Sequence, residues 1–143
     1  LLVLLDLSAA FDSIDIPTLL RRLNHTFGMT NAPLRWIASY LNGRSQYMRI
    51  GTTKSQAVPT VYGVPQGSVL GPILFILYIN DVTDILVDDV SCKLYADDLK
   101  LYCPIDPTLG FSESFQTSLD NLCDWSLKWQ LPVNIDNRHN FLQ

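Results

Sequence analysis

Three carboxylates at two places in the chain have the residue type and the setting for metal-assisted chemistry. Asp97 and Asp98 are adjacent and lie between two short apolar runs, Ser91–Leu94 and Leu99–Tyr102. This pattern predicts a tight hairpin with both acids at its turn. Asp6 follows an apolar run at the start of the chain. Hard divalent cations bind carboxylate oxygens, but Asp is also common in solvated turns, so the adjacent pair alone leaves both interpretations open.

A pair formed by Asp6 and Asp97 would suit two Mg²⁺ ions a few ångströms apart. Such a centre activates an attacking hydroxyl and stabilises a leaving pyrophosphate, which is the chemistry of phosphoryl or nucleotidyl transfer. A zinc site is not expected, because Cys92, Cys103 and Cys123 have no C-x-x-C spacing and the two histidines lie far from them in sequence. Free thiols in a reducing, intracellular compartment are the expectation.

The elements that must position these acids follow from apolar spacing and from turn residues. A buried strand is predicted first, and its end can meet the Asp97-Asp98 turn in an antiparallel sheet. The first half of the chain predicts a strand over Leu1–Leu5, a helix from Asp15 to Gly28, a helix from Thr30 or Asn31 to Leu41, and a hairpin of Gln46–Ile50 with Ala57–Tyr62. A loop over 63–68 follows, and then a buried helix over Pro72–Val82 that Ser68 could cap, with a strand as the alternative for this apolar run. After the acidic hairpin come a loop over Pro104–Gly110, a helix over Ser112–Trp129 and a short strand over Leu131–Ile135. This order predicts an α+β domain with helices on one face of the sheet.

Composition limits the classes of protein that this chain can represent. Its 143 residues, 48% of them hydrophobic, suit one domain with a core of ordinary size. The chain begins without Met on a strand-like run, so we expect a fragment of a longer protein. The longest apolar run, Ile73–Ile79, is far shorter than the roughly 18–20 residues that cross a bilayer, so no membrane partner is expected.

The net charge of −4 argues against a free-standing nucleic-acid binder, which usually has a basic face. The objection is met if the acids are concentrated in a metal site and the basic surface lies in segments outside this chain.

Four stretches, taken in order, resemble the motifs of reverse transcriptases. They are Leu4–Asp12 (LLDLSAAFD, motif A), Gly63–Pro72 (GVPQGSVLGP, motif B), Tyr95–Asp98 (YADD, motif C) and Trp125–Asn134 (WSLKWQLPVN, the approach to motif D). The helical insert between motifs A and B and the sequence PQGSVLGP are most similar to those of non-LTR (LINE-type) retrotransposon enzymes. The resemblance implies a partial reverse transcriptase domain over residues 1–143. Its fold would be a palm-type antiparallel sheet with helices packed on one face, plus part of the fingers, without the thumb or the N-terminal fingers.

The resemblance also implies roles for individual residues. Asp6, Asp97 and Asp98 would be catalytic and would bind two Mg²⁺ ions, with Mn²⁺ as an alternative and the Leu7 backbone carbonyl as a further ligand. Phe11, five residues after Asp6, would be a steric gate whose ring excludes a ribose 2′-hydroxyl. The alternative for Phe11 is plain core packing.

The other implied roles concern binding of nucleotide, template and primer. Gln66 and Gly67 would contact the incoming nucleotide and the template, since Gly permits close backbone approach and the Gln amide both donates and accepts. An ordinary Pro-Gln-Gly turn is the alternative. Tyr95 and Ala96 would flank the catalytic turn near the primer terminus. Asp12 is interpreted as structural, because it is one residue too late to accept a 2′-hydroxyl.

The implied activity is that of an RNA-directed DNA polymerase acting in retrotransposition, with transfer from a dNTP to a primer 3′-hydroxyl. Its partners would be an RNA template, a DNA primer, the dNTP, and the remaining fingers, thumb and endonuclease of a longer polyprotein. One departure leaves a second interpretation open. Many relatives have a lysine after the motif D asparagine, Asn134, whereas this chain has Asn137, Arg138 and His139. Asn cannot act as an acid, Arg is too basic, and His139 is shifted by two positions. The alternative is a catalytically inactive remnant that retains only the fold or nucleic-acid binding.

Overall fold

A computed structural model of the chain describes residues 1–104 and 113–141, with side chains described as far as residue 133. The predicted loop over Pro104–Gly110 and the predicted helix start at Ser112 fall largely outside these residues. The elements are β1 (Leu2–Leu7), α1 (Ala10–Ser13), α2 (Ile16–His25), α3 (Asn31–Leu41), β2 (Arg44–Gln46), β3 (Arg49–Ile50), β4 (Thr53–Lys54), β5 (Val58–Thr60), α4 (Leu70–Ile79), a 3-10 helix (Val82–Ile85), β6 (Ser91–Tyr95), β7 (Asp98–Tyr102), α5 (Glu113–Trp129) and β8 (Val133–Phe141).

The chain divides into two compact units, which are described separately. The sheet unit comprises Leu1–Ala10 with Ile79–Gln143, and the helical unit comprises Phe11–Tyr78. The sheet unit holds a four-stranded antiparallel sheet in the order β6-β7-β1-β8. This antiparallel sheet with helices is the α+β architecture that the sequence predicts.

Strict alternation of side chains gives the sheet a buried face and an open face. On β1 and β7 the buried residues are Val3, Leu5, Leu7, Leu99 and Leu101. Helix α5 supplies the other apolar surface of this unit through a stripe of buried residues at helical spacing, which includes Phe115, Leu122 and Trp125. The residues between the buried positions of β1 and β7, including the acids at their ends, lie on the opposite face.

Hydrogen bonds connect α5 to the segment after α4. The Trp125 indole Nε1 donates to Asp81 Oδ1 over 2.9 Å, and the Asn121 amide donates to the Ile85 carbonyl over 2.9 Å. These bonds hold residues 81–85 outside α4, which ends at Ile79. The predicted end of the α4 helix at Val82 is therefore wrong, because the chain turns into a 3-10 helix there.

The helical unit forms much as local signals predict. Asp15 caps α2 by accepting from the Thr18 N–H over 2.9 Å, and Pro17 occupies the first turn. Gly28, with a φ of +65°, reverses the chain between α2 and α3. The core of the helical unit contains side chains from α2, α3 and α4, including Leu19, Leu23, Leu41, Leu74 and Phe75.

The predicted hairpin of Gln46–Ile50 with Ala57–Tyr62 is wrong in its strand bounds and in part of its pairing. Strand β2 pairs with β5 and β3 pairs with β4, so one hairpin is nested inside another. The break falls where Met48 donates its N–H to the Ser55 hydroxyl over 2.9 Å, and the Ser55 N–H donates to the Met48 carbonyl over 2.9 Å. A side chain that bonds the backbone in this way interrupts a regular ladder.

None of the helices within the described stretches combines the length and the hydropathy that a bilayer span requires. All three cysteines are free thiols, with Cys103 buried and Cys123 exposed. Burial raises the pKa of the Cys92 thiol above its usual range.

Candidate active site

The strand register places Asp6 directly opposite Asp98. The two residues are Cα partners at the ends of β1 and β7, next to the buried pair Leu5 and Leu99. Asp98 also pairs with Tyr95 across β6 and β7, so a row of three side chains crosses the open face. The prediction that both acids lie at the turn is wrong for Asp98, which is the first residue of β7 because its backbone continues the ladder to both neighbouring strands.

The turn itself contains only Ala96 and Asp97. Two-residue hairpin turns favour a positive φ, and Ala96 has a φ of +53°, a region in which glycine is more comfortable. The Leu7 N–H donates to the Asp97 carbonyl over 3.2 Å, which ties the turn to the end of β1. The fold therefore brings Asp97 and the Asp6-Leu7 step together, although they are about ninety residues apart in sequence.

The three carboxylates fit a hard divalent cation by donor chemistry. Directly opposed residues on one sheet face have Cβ atoms about 4.5–5.5 Å apart, and like charges at that spacing repel, so a cation between Asp6 and Asp98 would relieve the repulsion. Within the described part of the chain no side chain donates a hydrogen bond or forms an ion pair with Asp6, Asp97 or Asp98. Across the same residues, no group of three or more His, Cys, Asp or Glu side chains is already gathered at metal-binding distances.

A second row on the open face is basic. Lys93 and Lys100 are Cα partners, and each lies two residues along its strand from Tyr95 or Asp98. Both lysines are exposed, and opposed like charges are unfavourable unless an anion lies between them. The sequence alone assigns no role to these lysines. The sequence contains a signal for this pairing: Lys93 lies two residues before Tyr95 and Lys100 lies two residues after Asp98, so a tight hairpin places them opposite each other.

Motifs A and B meet through backbone contacts in the helical unit. The Val64 N–H donates to the Phe11 carbonyl over 2.9 Å. Gly63 has a φ of +82°, and a Cβ there would lie 2.8 Å from the Asp12 Cα and 2.9 Å from the Phe11 carbonyl oxygen. Only glycine permits this approach.

The half-buried Phe11 ring packs on Phe75, with ring centroids 4.6 Å apart and an interplanar angle of 29°. This contact is the core packing that the alternative interpretation of Phe11 requires. The role of Phe11 as a steric gate remains a prediction. Gly67 has a φ of +74° and open space around its Cβ position, so the bend of the loop explains this glycine.

Gln66 is exposed, and its Nε2 donates to Asp12 Oδ1 over 2.8 Å. Asp12 thus has a specific partner that sequence reasoning missed, because the two residues are 54 positions apart. The Ser68 hydroxyl accepts from the Gly71 N–H over 3.0 Å and caps the first turn of α4, as predicted. Gln66 also lines a cavity of about 410 Å³, together with Arg44, Gln46, Thr60 and Tyr62.

The motif D positions are placed through their backbone alone. Strand β8 pairs with β1, with Asp6 opposite Asn134 and Leu4 opposite His139. The predictions made for the side chains of Asn137, Arg138 and His139 lie outside the described side chains.

An antiparallel sheet in which Asp6 and Asp98 are opposed at adjacent strand ends, beside the Ala96-Asp97 turn, is the arrangement that the resemblance to reverse transcriptases predicts for a polymerase palm. The family model described as "Reverse transcriptase (RNA-dependent DNA polymerase)" matches residues 1–140, so the chain belongs to the reverse transcriptase family. Its relatives are RNA-directed DNA polymerases of non-LTR retrotransposons.

Two curated relatives illustrate this. The chain is 31% identical over 144 residues to the "RNA-directed DNA polymerase from mobile element jockey" of Drosophila melanogaster. This match covers 95% of this chain and 15% of that protein. It is 28% identical over 142 residues to the "Probable RNA-directed DNA polymerase from transposon X-element" of the same species, again with 95% and 15% coverage. The chain therefore spans about one-seventh of the length of these relatives.

Solved structures support the fold. The chain is similar to an apo telomerase from Candida tropicalis truncated from its C-terminal domain, with a TM-score of 0.74, 14% identity, and coverage of 98% of this chain and 30% of that one. It is also similar to a telomerase from Candida albicans in complex with a TWJ fragment of telomeric RNA, with a TM-score of 0.73, 15% identity, and coverage of 99% and 28%.

Proposed function

We propose that this chain is the catalytic palm, with part of the fingers, of a LINE-type RNA-directed DNA polymerase that acts in retrotransposition. The full-length protein joins a primer 3′-hydroxyl to the α-phosphate of a dNTP, releases pyrophosphate and copies an RNA template. The observation that carries the proposal is the register of the sheet. It sets Asp6 opposite Asp98 and ties Asp97 to the end of β1, in a chain of the reverse transcriptase family.

Polymerases of this family generally use divalent metals. In this chain Asp6, Asp97 and Asp98 would hold two Mg²⁺ ions, with the Leu7 carbonyl as a further ligand and Mn²⁺ as a substitute. The ions supply activation of the attacking hydroxyl and stabilisation of the departing pyrophosphate. The protein's own contribution is to fix the carboxylates at the ends of paired strands, where sheet hydrogen bonds limit their movement.

The remaining site residues bind and orient the substrates in this proposal. Gln66 and Gly67 contact the incoming nucleotide and the template. Tyr95 and Ala96 lie beside the primer terminus. The opposed Lys93 and Lys100 would neutralise primer phosphates, and Phe11 would exclude a ribose 2′-hydroxyl.

The partners of the full-length protein are an RNA template, a DNA primer and a dNTP. The remaining fingers, the thumb and an endonuclease would come from the rest of the polyprotein, since the chain corresponds to 15% of its relatives' length. We expect the 143-residue chain alone to extend a primer by no more than a few nucleotides, because gripping a heteroduplex needs those segments. An intracellular location, in the nucleus or cytoplasm, belongs to the same proposal.

A second candidate function is a catalytically inactive remnant that keeps only the fold or nucleic-acid binding. The observation that favours it is Asn137 in the region where many relatives have a lysine. An amide cannot supply a proton to the leaving pyrophosphate near neutral pH.

Primer extension on an RNA template by the full-length protein separates the two candidates. The proposal predicts extension by the wild type and a loss of roughly 10²- to 10³-fold or more in Asp97→Asn, the scale seen when preorganised transition-state stabilisation is removed. Asp89→Asn is the matched control, because Asp89 is an acid of the same sheet unit and has no assigned role. No extension by the wild type would favour the remnant. Equal rates for wild type and Asp97→Asn would overturn the role of Asp97.

A further inference from the structure

The helical unit has a net positive charge, although the chain as a whole is acidic. The helical unit contains six Lys or Arg residues and two acidic residues, Asp12 and Asp15. No acidic residue occurs between Asp15 and Asp81. The sheet unit has twelve acidic residues and four basic ones, so the net charge of −4 is the sum of two opposite charges. The helical unit is therefore net basic, and of its six cations Arg22 is buried.

Three side chains of the helical unit stack pairwise around Tyr40, which is half-buried, while Trp36 and Arg44 are exposed. Trp36 and Tyr40, one helical turn apart on α3, have parallel rings with centroids 5.7 Å apart and an interplanar angle of 4°. The Arg44 guanidinium lies 5.4 Å from the centre of the Tyr40 ring, and its Nη1 donates to the Tyr40 carbonyl over 3.3 Å. Trp36 is 57% exposed. We refer to Trp36, Tyr40 and Arg44 as the aromatic stack.

The nested hairpin repeats the combination of an exposed ring and a cation. Lys54 Nζ lies 4.9 Å from the centre of the Tyr47 ring, and Tyr47 is 52% exposed. Flat aromatic faces interleaved with cations, in a segment without acidic residues, complement a strand of bases joined by phosphates.

The aromatic stack continues into the cavity that Gln66 lines. Arg44 belongs to both, and the cavity wall adds the polar side chains of Ser45, Gln46 and Thr60. Its one carboxylate, Asp12, is engaged by the Gln66 amide. A strand that stacks on Trp36 could therefore pass Arg44 and reach Gln66 within the helical unit.

We propose that the aromatic stack binds unpaired bases of single-stranded RNA. An unpaired base offers a free face to an aromatic ring, whereas a base inside a duplex is already stacked on both sides. The choice of RNA rests on the proposed function, since the template is the strand that enters an RNA-copying reaction unpaired and leaves it paired to product. The hydroxyl and amide groups beside Arg44 can also accept from or donate to a 2′-hydroxyl.

Fluorescence anisotropy of labelled oligonucleotides with the 143-residue chain tests this proposal. The probes are oligo(U) of about 12 nucleotides, a duplex RNA of the same length and oligo(dT), within the usual site size for such surfaces. We expect oligo(U) to bind more tightly than duplex RNA or oligo(dT). Trp36→Ala should weaken oligo(U) binding roughly 5- to 150-fold, as expected for the loss of one stacked base.

Matched variants separate stacking from charge. Trp36→Phe keeps an aromatic face and should retain most of the affinity, whereas Phe27→Ala, which removes an exposed ring at the end of α2, should have no effect. Arg44→Ala should lower the salt dependence of log K for oligo(U) by about 0.7, the value for one contact to a single strand. Arg21→Ala, an exposed cation that bonds Thr18, should leave it unchanged.

Binding is measured in EDTA without dNTP, so the result does not depend on polymerase activity. Loss of primer extension with Trp36-dependent oligo(U) binding intact would contradict only the proposed function. Equal affinity of wild type and folded Trp36→Ala for oligo(U) would overturn the proposal for the aromatic stack. Duplex RNA bound as tightly as oligo(U) would overturn the role of unpaired bases, and oligo(dT) bound as tightly would overturn the assignment to RNA.

Discussion

The Gln66 side chain is oriented by Asp12, whose Oδ1 accepts a 2.8 Å hydrogen bond from Nε2 of that glutamine. A carboxylate accepts and never donates, so it selects the amide nitrogen and leaves Gln66 Oε1 facing outward as an acceptor. Motif A thereby fixes the functional amide of motif B within the helical unit. Asp12 is a positioning residue in the proposed function.

Asp12→Ala should raise the KM for dNTP of the full-length polymerase roughly fivefold, with a smaller change in kcat. The expected magnitude is about 1 kcal/mol, below the roughly 1.5–3 kcal/mol of a hydrogen bond to a charged group, because the pair is exposed. Steady-state incorporation of one nucleotide measures both constants.

The control for this prediction is a double-mutant cycle with Gln66→Ala. If Asp12 acts through Gln66, the double variant should be no worse than Gln66→Ala alone. Asp12→Asn keeps an oxygen acceptor and should retain most of the activity. Fully additive losses would contradict the positioning role.

Gly63→Ala should destabilise the protein by about 3 kcal/mol or more, since a left-handed backbone with a Cβ costs about 1–2 kcal/mol and the contacts with Asp12 and Phe11 add to it. Gly28→Ala is the matched control. Gly28 has a φ of +65° with nothing within 4 Å of its Cβ position, so only the conformational cost of about 1–2 kcal/mol applies. Urea unfolding measures both, and equal losses would refute the proposed close approach.

Phe11→Val should relax the discrimination between deoxyribonucleotides and ribonucleotides by roughly 10- to 100-fold, the scale of steric selection by a pocket wall. Incorporation of each nucleotide on the same primer–template gives the ratio. Phe75→Leu is the control, because it removes the ring that packs on Phe11 and leaves Phe11 in place. Unchanged discrimination in a less stable Phe11→Val protein would favour simple core packing.

Trp125→Phe should lower the free energy of unfolding by about 2 kcal/mol or more, since it removes the hydrogen bond to the Asp81 carboxylate and replaces the buried indole with a smaller ring. Leu127→Ala on the same helix removes a side chain that is 77% exposed and should cost less than about 0.5 kcal/mol. Thermal unfolding of both variants compares them. A stable Trp125→Phe variant would mean that this bond does not hold α5 to the segment after α4.

The sequence predicts those parts of the fold that depend on local signals. The Asp15 cap, the apolar stripe of α5 and the hairpin around Ala96 all follow from residue type and spacing within a few turns. The α+β class and the meeting of Asp6 with the hairpin follow from element order.

What the sequence did not predict depends on contacts between distant residues or on side chains that replace backbone bonds. The nested hairpin arises where Ser55 bonds the backbone of Met48. The strand position of Asp98 depends on pairing with both Tyr95 and Asp6. The bond between Asp12 and Gln66 joins two motifs that look independent in the sequence.

The claim that Asp6, Asp97 and Asp98 form one divalent-metal centre can be tested by metal-directed cleavage of the full-length protein. Fe²⁺ replaces Mg²⁺ in the presence of an RNA template, a chain-terminated primer and dNTP, and ascorbate with peroxide generates hydroxyl radicals at the bound iron. Fragment masses then report which backbone segments lie beside the metal. Asp89→Asn serves as the control variant.

The predicted result is cleavage at two sites far apart in sequence, beside Asp6-Leu7 and beside Asp97-Asp98. Excess Mg²⁺ should suppress both cuts. Asp6→Asn should abolish the cut at Asp97-Asp98 as well as its own, while Asp89→Asn cleaves as the wild type does. Cleavage at Asp97-Asp98 that persists unchanged in Asp6→Asn, or cleavage confined to other segments, would contradict a shared metal centre.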